Sequence, residues 1–346
     1  MNAPIIFCHF SPSSYLNYVF EAVRLTNPDH EIFLLGDESN RQIAAKYSLK
    51  HLYFTEFDYG EKIALFNQVY QLIEGRNHHG IRGTTDWVNF IFKRWFYVYN
   101  FTTSSGYEKF WHFDSDTMIL TNLSQHEDKF KNYDSTEQCN GMCINGFINS
   151  LNSVESYLDK INNLFQDQEY LAGLRKLFDE VYPDYAFTEM SAYLEFKKEP
   201  VINTIRLNTV INNSTFDDCM CYKHELETER LFTGREVKKI YTNGSGYFYG
   251  YHEELKQIVT INSLNLSWLP IEFFAIVLKE LKKREFESVS AELATLNLKN
   301  MTSLGQIFFR ECYIKYMRKN LRRKLRNIVK PLLQKVGILS NSHSIT

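Results

Sequence analysis

The chain has 346 residues, 44% of them hydrophobic, 15% aromatic and 23% charged, which allows a sizeable core in one large domain or two ordinary ones. A net charge of −2 excludes a uniformly basic nucleic-acid binder, although ten Lys and Arg face a single acid, Glu311, from Arg310 onward, and the preceding 309 residues hold 29 basic and 40 acidic residues. No apolar run approaches the ~18 residues of a membrane span, and the start MNAPIIFCHF lacks the basic region of a secretory signal.

PIIFCHF is a continuous apolar run, which predicts a strand buried on both faces. SPSS then offers a helix cap, and Leu16, Val19, Phe20 and Val23 recur at helical spacing until Asn27-Pro28. HEIFLLGD predicts a second strand and HLYFTEF, residues 51–57, a third. Strand, helix, strand in this order predicts a parallel α/β sheet with right-handed crossovers. Ligands on such sheets bind beyond the carboxyl ends of the strands, so Phe10-Ser11, Asp37 and the end of WHFDSD are expected along one edge.

GEKIALFNQVYQLIEG and the segment 86–100 predict helices, joined by the polar RNHHGIRGTTD, which is long enough for a lid. His78 and His79 there either touch a ligand or lie on an ordinary surface loop. NGMCINGFINS predicts a strand with a glycine turn, and two helices fill 152–180. FTEMSAYLEF predicts a short helix capped by Thr188, with Glu189 in its first turn. VKKIYTNGSGYFYGY predicts a hairpin across Asn243-Gly244 and LKQIVTI a further strand; from about 268 the pattern is helical to the end. The division expected is a domain over 1–265 and a helical extension over 266–346. Six cysteines in such a chain predict reduced thiols in a cytoplasmic protein. Cys139 with Cys143, and Cys219 with Cys221, lack zinc-knuckle spacing.

WHFDSDTMIL places Asp114 and Asp116 two apart behind an apolar run. In a strand they would face one side. Two buried like charges repel, so a cation should sit with them. Mg²⁺ or Mn²⁺ fits, being commonly held by one or two carboxylates plus substrate phosphates.

FCHFS, FLLGD, KRWFYVYNF and FWHFDSDTMIL, in that order over roughly 4–265, resemble nucleotide-sugar glycosyltransferases of the GT-A fold. The resemblance is nearest to bacterial enzymes that build surface polysaccharides. It implies an α/β fold with a single Rossmann-like mixed sheet flanked by helices. It also implies hexosyl transfer from a UDP- or GDP-sugar to a glycan or lipid-linked acceptor, dependent on Mn²⁺ or Mg²⁺. Asp116 would then be the principal metal ligand, and Asp114 would contact the ribose or reach the metal through water. Asp37 would lie near the base or ribose, with Ser11 on the same edge. Arg94 would pair with Asp114 or reach the diphosphate. Asn145 would bond a sugar hydroxyl, and Gly146 would let the backbone approach. Glu189 would be the base of an inverting transfer, although the helix dipole alone favours an acid there. Many metal-dependent members supply a late histidine ligand; INSLNLSW offers Asn265 instead, a weaker ligand, with His252 nearby as a substitute.

Two alternatives remain. A haloacid-dehalogenase-type phosphatase also carries Asp-x-Asp after an apolar strand, but it wants Thr or Val where Met118 stands. Asp217-Asp218 also lacks a preceding apolar strand to serve as a second acidic motif. A catalytically weakened transferase fold acting as an assembly partner would follow from Asn265. In the basic tail, Ile314, Met317, Leu321, Leu325, Ile328 and Leu332 stand near helical spacing. Residues 310–335 would lie on an anionic inner membrane face, pack on the acidic body or bind a partner.

Overall fold

The continuous apolar runs need cover on both faces, and the computed structural model, which describes residues 2–78, 85–199, 202–284 and 296–335, supplies it. Strand β1 (Ile5–Cys8) leads into helix α1 (Leu16–Thr26), then β2 (Ile32–Gly36), α2 (Arg41–Lys46), β3 (Lys50–Tyr53), α3 (Glu61–Val69) and the long α4 (Thr85–Ser105). The middle of the chain forms β4 (Phe110–His112), β5 (Thr117–Ile119), α5 (Glu127–Phe130), β6 (Ser135–Gln138) and β7 (Cys143–Ile148). Helices α6 (Leu151–Gln166), α7 (Gln168–Glu180) and α8 (Glu189–Phe196) precede β8 (Thr204–Arg206).

Seven of these strands make one sheet in the order β3-β2-β1-β4-β7-β6-β8. The pairs from β3 to β4 are parallel, as the alternating order predicts, while β7 runs antiparallel to both β4 and β6. The sheet is therefore mixed and flanked by helices. Alternation splits the apolar run of β1 between two cores. Ile5 and Phe7 pack with Val19, Phe20 and Phe273 on one face, and Ile6 and Cys8 with Phe66, Phe92 and Tyr157 on the other.

A second sheet is assembled from β9 (Ser214–Thr215), β12 (Tyr241–Thr242), β13 (Phe248–His252), β14 (Gln257–Ile261) and β16 (Thr302–Ser303), beside the small ribbon β10 (Thr228–Arg230) and β11 (Glu236–Lys238). Strand β15 (Ser263–Asn265) leaves that sheet to pair with β5. Helix α9 (Ile271–Leu281) and the terminal α10 (Leu304–Lys335) follow, with Phe273 and Phe308 rings 5.7 Å apart.

Several expected elements are reshaped by packing. The third strand stops at Tyr53, because Phe54–Phe57 turn into a 3-10 helix that sets Phe54 on Tyr97 and Phe57 on Phe101. The next helix ends at Val69 rather than running to Gly75. Residues 73–77 instead bond the backbone of 183–187, and a Cβ on Gly75 would come within 2.5 Å of Pro183. The hairpin expected at Asn243-Gly244 is β12–β13, with 243–247 as its loop. The stretch after 268 is not helical throughout: Thr302-Ser303 adds a strand against Tyr241-Thr242. No helix among the described residues is long and apolar enough to cross a membrane. His78 is buried and bonded to Glu74 at 2.7 Å, and His79 lies outside the described residues.

Candidate active site

The aspartate pair does not continue a strand. Residues 114–116 form the turn between β4 and β5, closed by a 2.9 Å bond from Thr117 N to Asp114 O. The chain turns there because β5 abandons the main sheet for β15, setting Asn265 opposite Thr117. The i, i+2 geometry expected of a strand is thus replaced by two carboxylates held from different sides. Asp114 Oδ1 accepts from Arg94 Nη1 at 2.6 Å, and Asp116 Oδ2 accepts from Ser267 Oγ at 2.7 Å.

Arg94 projects from α4 and is shared. Its Nη2 donates to Glu189 Oε1 at 3.0 Å, so one guanidinium joins the Asp turn to the first residue of α8. Burial works against its charge, but Asp114 and Glu189 outweigh it and hold Arg94 firmly protonated. Glu189 is itself buried, and burial pushes its carboxyl up to about 7 although Arg94 pulls it down. Its Oε2 is buried without a hydrogen-bond partner. Tyr157 Oη donates to the Glu189 backbone carbonyl at 2.6 Å and pins the start of the helix. Thr188 stands at the N-cap as expected, but its side chain makes no capping bond.

Asp116 is raised to about 6, first by burial and then by the Asp114 charge. Its Oδ1 is likewise buried and unpartnered. Asp114 and Glu189 therefore share a single guanidinium, and the Asp116 charge acts on Asp114 beside them. When all three ionise, the cluster is two charges short of neutral. A divalent cation would offset that deficit, and the unpartnered Asp116 oxygen could serve as a ligand. Among the described residues no group of three or more His, Cys, Asp or Glu could hold a metal. The donor set thus fits a cation completed by substrate phosphates better than a closed protein cage.

The other expected residues divide into those near the turn and those enclosed elsewhere. Ser11 and Asp37 do lie together: Ser11 N donates to Asp37 Oδ2 at 2.7 Å and Ser39 N to Oδ1 at 2.8 Å. Asp37 therefore spends both oxygens ordering the loops after β1 and β2. Asn265 is fully buried, and its Oδ1 accepts from Ser267 N at 3.1 Å and lies 2.7 Å from Ser267 Oγ, whose single proton can go either to it or to Asp116. The oxygen that would ligate a metal is thus committed to orienting Ser267. His252 does not substitute for it: it ends β13 with its Nδ1 accepting from Leu255 N at 3.3 Å.

Asn145 and Gly146 are built into β7. Asn145 is wholly buried and donates to Gln138 Oε1 at 3.1 Å. Gly146 has φ +93°, and a Cβ there would stand 2.4 Å from Thr136 Oγ1 and 2.8 Å from Leu207. Internal packing demands the glycine, rather than an approaching sugar.

Three participants escaped the sequence reading. His9, at the end of β1, meets Ser115 Oγ at 2.7 Å through Nδ1, and burial lowers it to about 4, so the ring is neutral at pH 7. Ser267 reaches Asp116 across a separation of 151 residues, which no local pattern announces. Asp217 bonds buried Lys238 at 2.7 Å and Asn265 N at 3.0 Å, fixing the end of the strand that leads into Ser267. His9 alone had a local signal, its place inside FCHFS.

No protein-family model matches this chain, and no curated protein does. Similar solved structures include mouse xyloside xylosyltransferase 1 in its apo form, 9% identical over 57% of this chain and 82% of that one, with a TM-score of 0.37. PaToxG glycosyltransferase is 13% identical over 58% and 70%, with a TM-score of 0.34. The bifunctional glycosyltransferase WbbM in its apo form is 12% identical over 59% and 45%, with a TM-score of 0.23. None reaches 0.5, so the functional reading stands on this chain's own residues.

Proposed function

We propose that the chain is a metal-dependent GT-A-type glycosyltransferase that moves a hexosyl group from a UDP- or GDP-sugar to a glycan or lipid-linked acceptor in surface-polysaccharide synthesis. The observation that carries this is the pair of carboxylates, Asp114 and Glu189, bound to Arg94 at the carboxyl edge of a mixed sheet, with Asp116 beside Asp114 and one oxygen of Asp116 and one of Glu189 left without a hydrogen bond. Asp116, with Asp114 beside it, would hold Mn²⁺ or Mg²⁺. When bound, that ion supplies charge neutralisation for the departing diphosphate. Ser267 fixes the rotamer of Asp116, and His9 fixes the turn through Ser115. Arg94 holds Asp114 and Glu189 apart at a set spacing. Glu189 Oε2 is free to take the proton of the acceptor hydroxyl, and a carboxyl near 7 suits that exchange. Asp114 as a phosphatase nucleophile is disfavoured, because Arg94 grips it at 2.6 Å.

Thermal unfolding with UDP, GDP or CMP, with and without Mn²⁺, tests the reading. One nucleoside diphosphate with Mn²⁺ is expected to stabilise the chain, by about 2.7 kcal/mol at a hundredfold excess over Kd. Asp116→Asn should erase the Mn²⁺-dependent part. Stabilisation by beryllofluoride alone would favour the phosphatase, and indifference to every ligand would favour the assembly partner.

The partner surface is proposed on α10. Ile314, Met317 and Leu321 are exposed on a helix whose Lys315, Arg318 and Arg322 are charged, a pattern that suits a cytoplasmic protein peripheral on an anionic inner membrane face. The side chains of Leu325, Ile328 and Leu332 lie outside the described residues. Changing Ile314, Met317 and Leu321 together to serine should abolish flotation with phosphatidylglycerol vesicles; undiminished flotation would sink the membrane role.

A further inference from the structure

The described part of the molecule carries a groove of about 490 Å³ lined by Thr233, Arg235, Trp268, Leu269, Pro270 and Tyr316. It sits between the loop of the β10–β11 ribbon, the start of α9 and Tyr316 of α10. Its most unusual member is Trp268. This ring is 56% exposed, whereas Trp95 and Trp111 are completely buried. A tight turn throws it outward: Leu269 N bonds Leu266 O at 3.0 Å, both leucines point into the core, and Trp268 takes φ +63°. A bulky residue seldom adopts that conformation, and such residues cluster where a ligand is held. Tyr222 flanks the ring at 6.4 Å between centroids.

Trp268 directly follows Ser267, whose hydroxyl holds Asp116. The Asp turn thus has two flanks. On one, His9, Ser11 and Asp37 stand beyond β1 and β2, where a nucleotide is expected. Trp268 joins the turn through Ser267 rather than through the loops after β1 and β2, which suits it to what receives the sugar more than to the base. A pyranose ring has an apolar C–H face and a rim of hydroxyls. The Trp268 face matches the first, and the Arg235 guanidinium and the Thr233 hydroxyl match the second. Pro270 gives the groove apolar surface, Tyr316 closes it from α10, and the volume falls within the range of small-ligand sites.

We propose that this groove is the acceptor-saccharide subsite, with Trp268 as the stacking platform and Arg235 and Thr233 as the hydroxyl-binding rim. The proposal rests on the transferase reading for the word acceptor, but saccharide binding can be measured without it. The full chain is mixed with a panel of methyl α- and β-glycosides of glucose, galactose, mannose and N-acetylglucosamine and their disaccharides, and binding is read by saturation-transfer NMR. Thermal stabilisation by UDP or GDP with Mn²⁺ is measured in parallel. At least one saccharide should bind the native chain. Trp268→Ala should weaken it by about tenfold or more, Arg235→Ala should weaken it less, and Trp268→Phe should recover part of the loss, all with the nucleotide response kept. The proposal is overturned if no saccharide binds the native chain, if Trp268→Ala binds as the native chain does, or if that variant loses the nucleotide response as well, which would make the ring a base platform. Should the native chain bind saccharide but no nucleotide, the transferase reading fails and the groove's ligand class stands.

Discussion

Arg94→Ala is expected to lower the unfolding free energy by about 3–5 kcal/mol at pH 8, the scale for breaking a buried ion pair from one side. Arg94 is the shared partner of Asp114 at 2.6 Å and Glu189 at 3.0 Å, and its side chain is only 11% exposed. Its removal strands two carboxylates with the Asp116 charge beside them. The strain is relieved only when protons bind, so the deficit should shrink as pH falls toward 5. Urea unfolding of both proteins at pH 8 and pH 5 measures this. Arg94→Lys should fall between them, since an ammonium lacks the planar fork that reaches two acids at once. A deficit under about 1 kcal/mol at pH 8 would mean that the cluster is relaxed by water and that the charge argument for a divalent cation is unsound.

The second large effect concerns Glu189. If it takes the acceptor proton, Glu189→Gln should reduce acceptor-dependent nucleoside diphosphate release by about 10²–10⁴-fold. The native rate should climb as pH passes about 7, where Glu189 ionises, and the variant should lack that limb. Near-normal turnover would remove Glu189 from the chemistry and point to retaining transfer without a protein base. Stability supplies an independent readout with a definite sign. The folded carboxyl is raised from 4.5 to about 7, so the folded chain binds the proton more tightly than the unfolded one. That contribution is complete below about pH 4.5 and is lost as pH rises through 7, amounting to roughly 3 kcal/mol. Glu189→Gln should flatten this part of the stability profile, because the amide does not ionise yet still accepts from Arg94.

Much of the scaffold is legible in the sequence. PIIFCHF and HEIFLLGD announce buried strands because only a two-sided core tolerates such runs, and the intervening helical spacing forces the parallel crossover. The gathering of Ser11, Asp37 and the Asp turn at one edge follows from that topology alone. Glu189 at the first turn of a helix was equally visible. The failures are of two kinds. Asn145 and Gly146 have residue types that suit a turn as well as recognition; the close approach of Thr136 explains the glycine by packing, and Asn145 is buried against Gln138. Asn265 looked like a displaced metal ligand because its position along the chain matched, but the direction of its amide oxygen depends on Ser267.

Local pattern determined the leading strands and helices, that they alternate, and which acids are candidates, because periodicity and burial act through near neighbours. Only the tertiary structure decided the charge balance. Arg94, Asp114 and Glu189 come from a helix, a turn and a second helix, and Ser267 arrives only because β15 leaves its own sheet for β5. Electrostatic coupling depends on distance through space, which spacing along the chain does not encode.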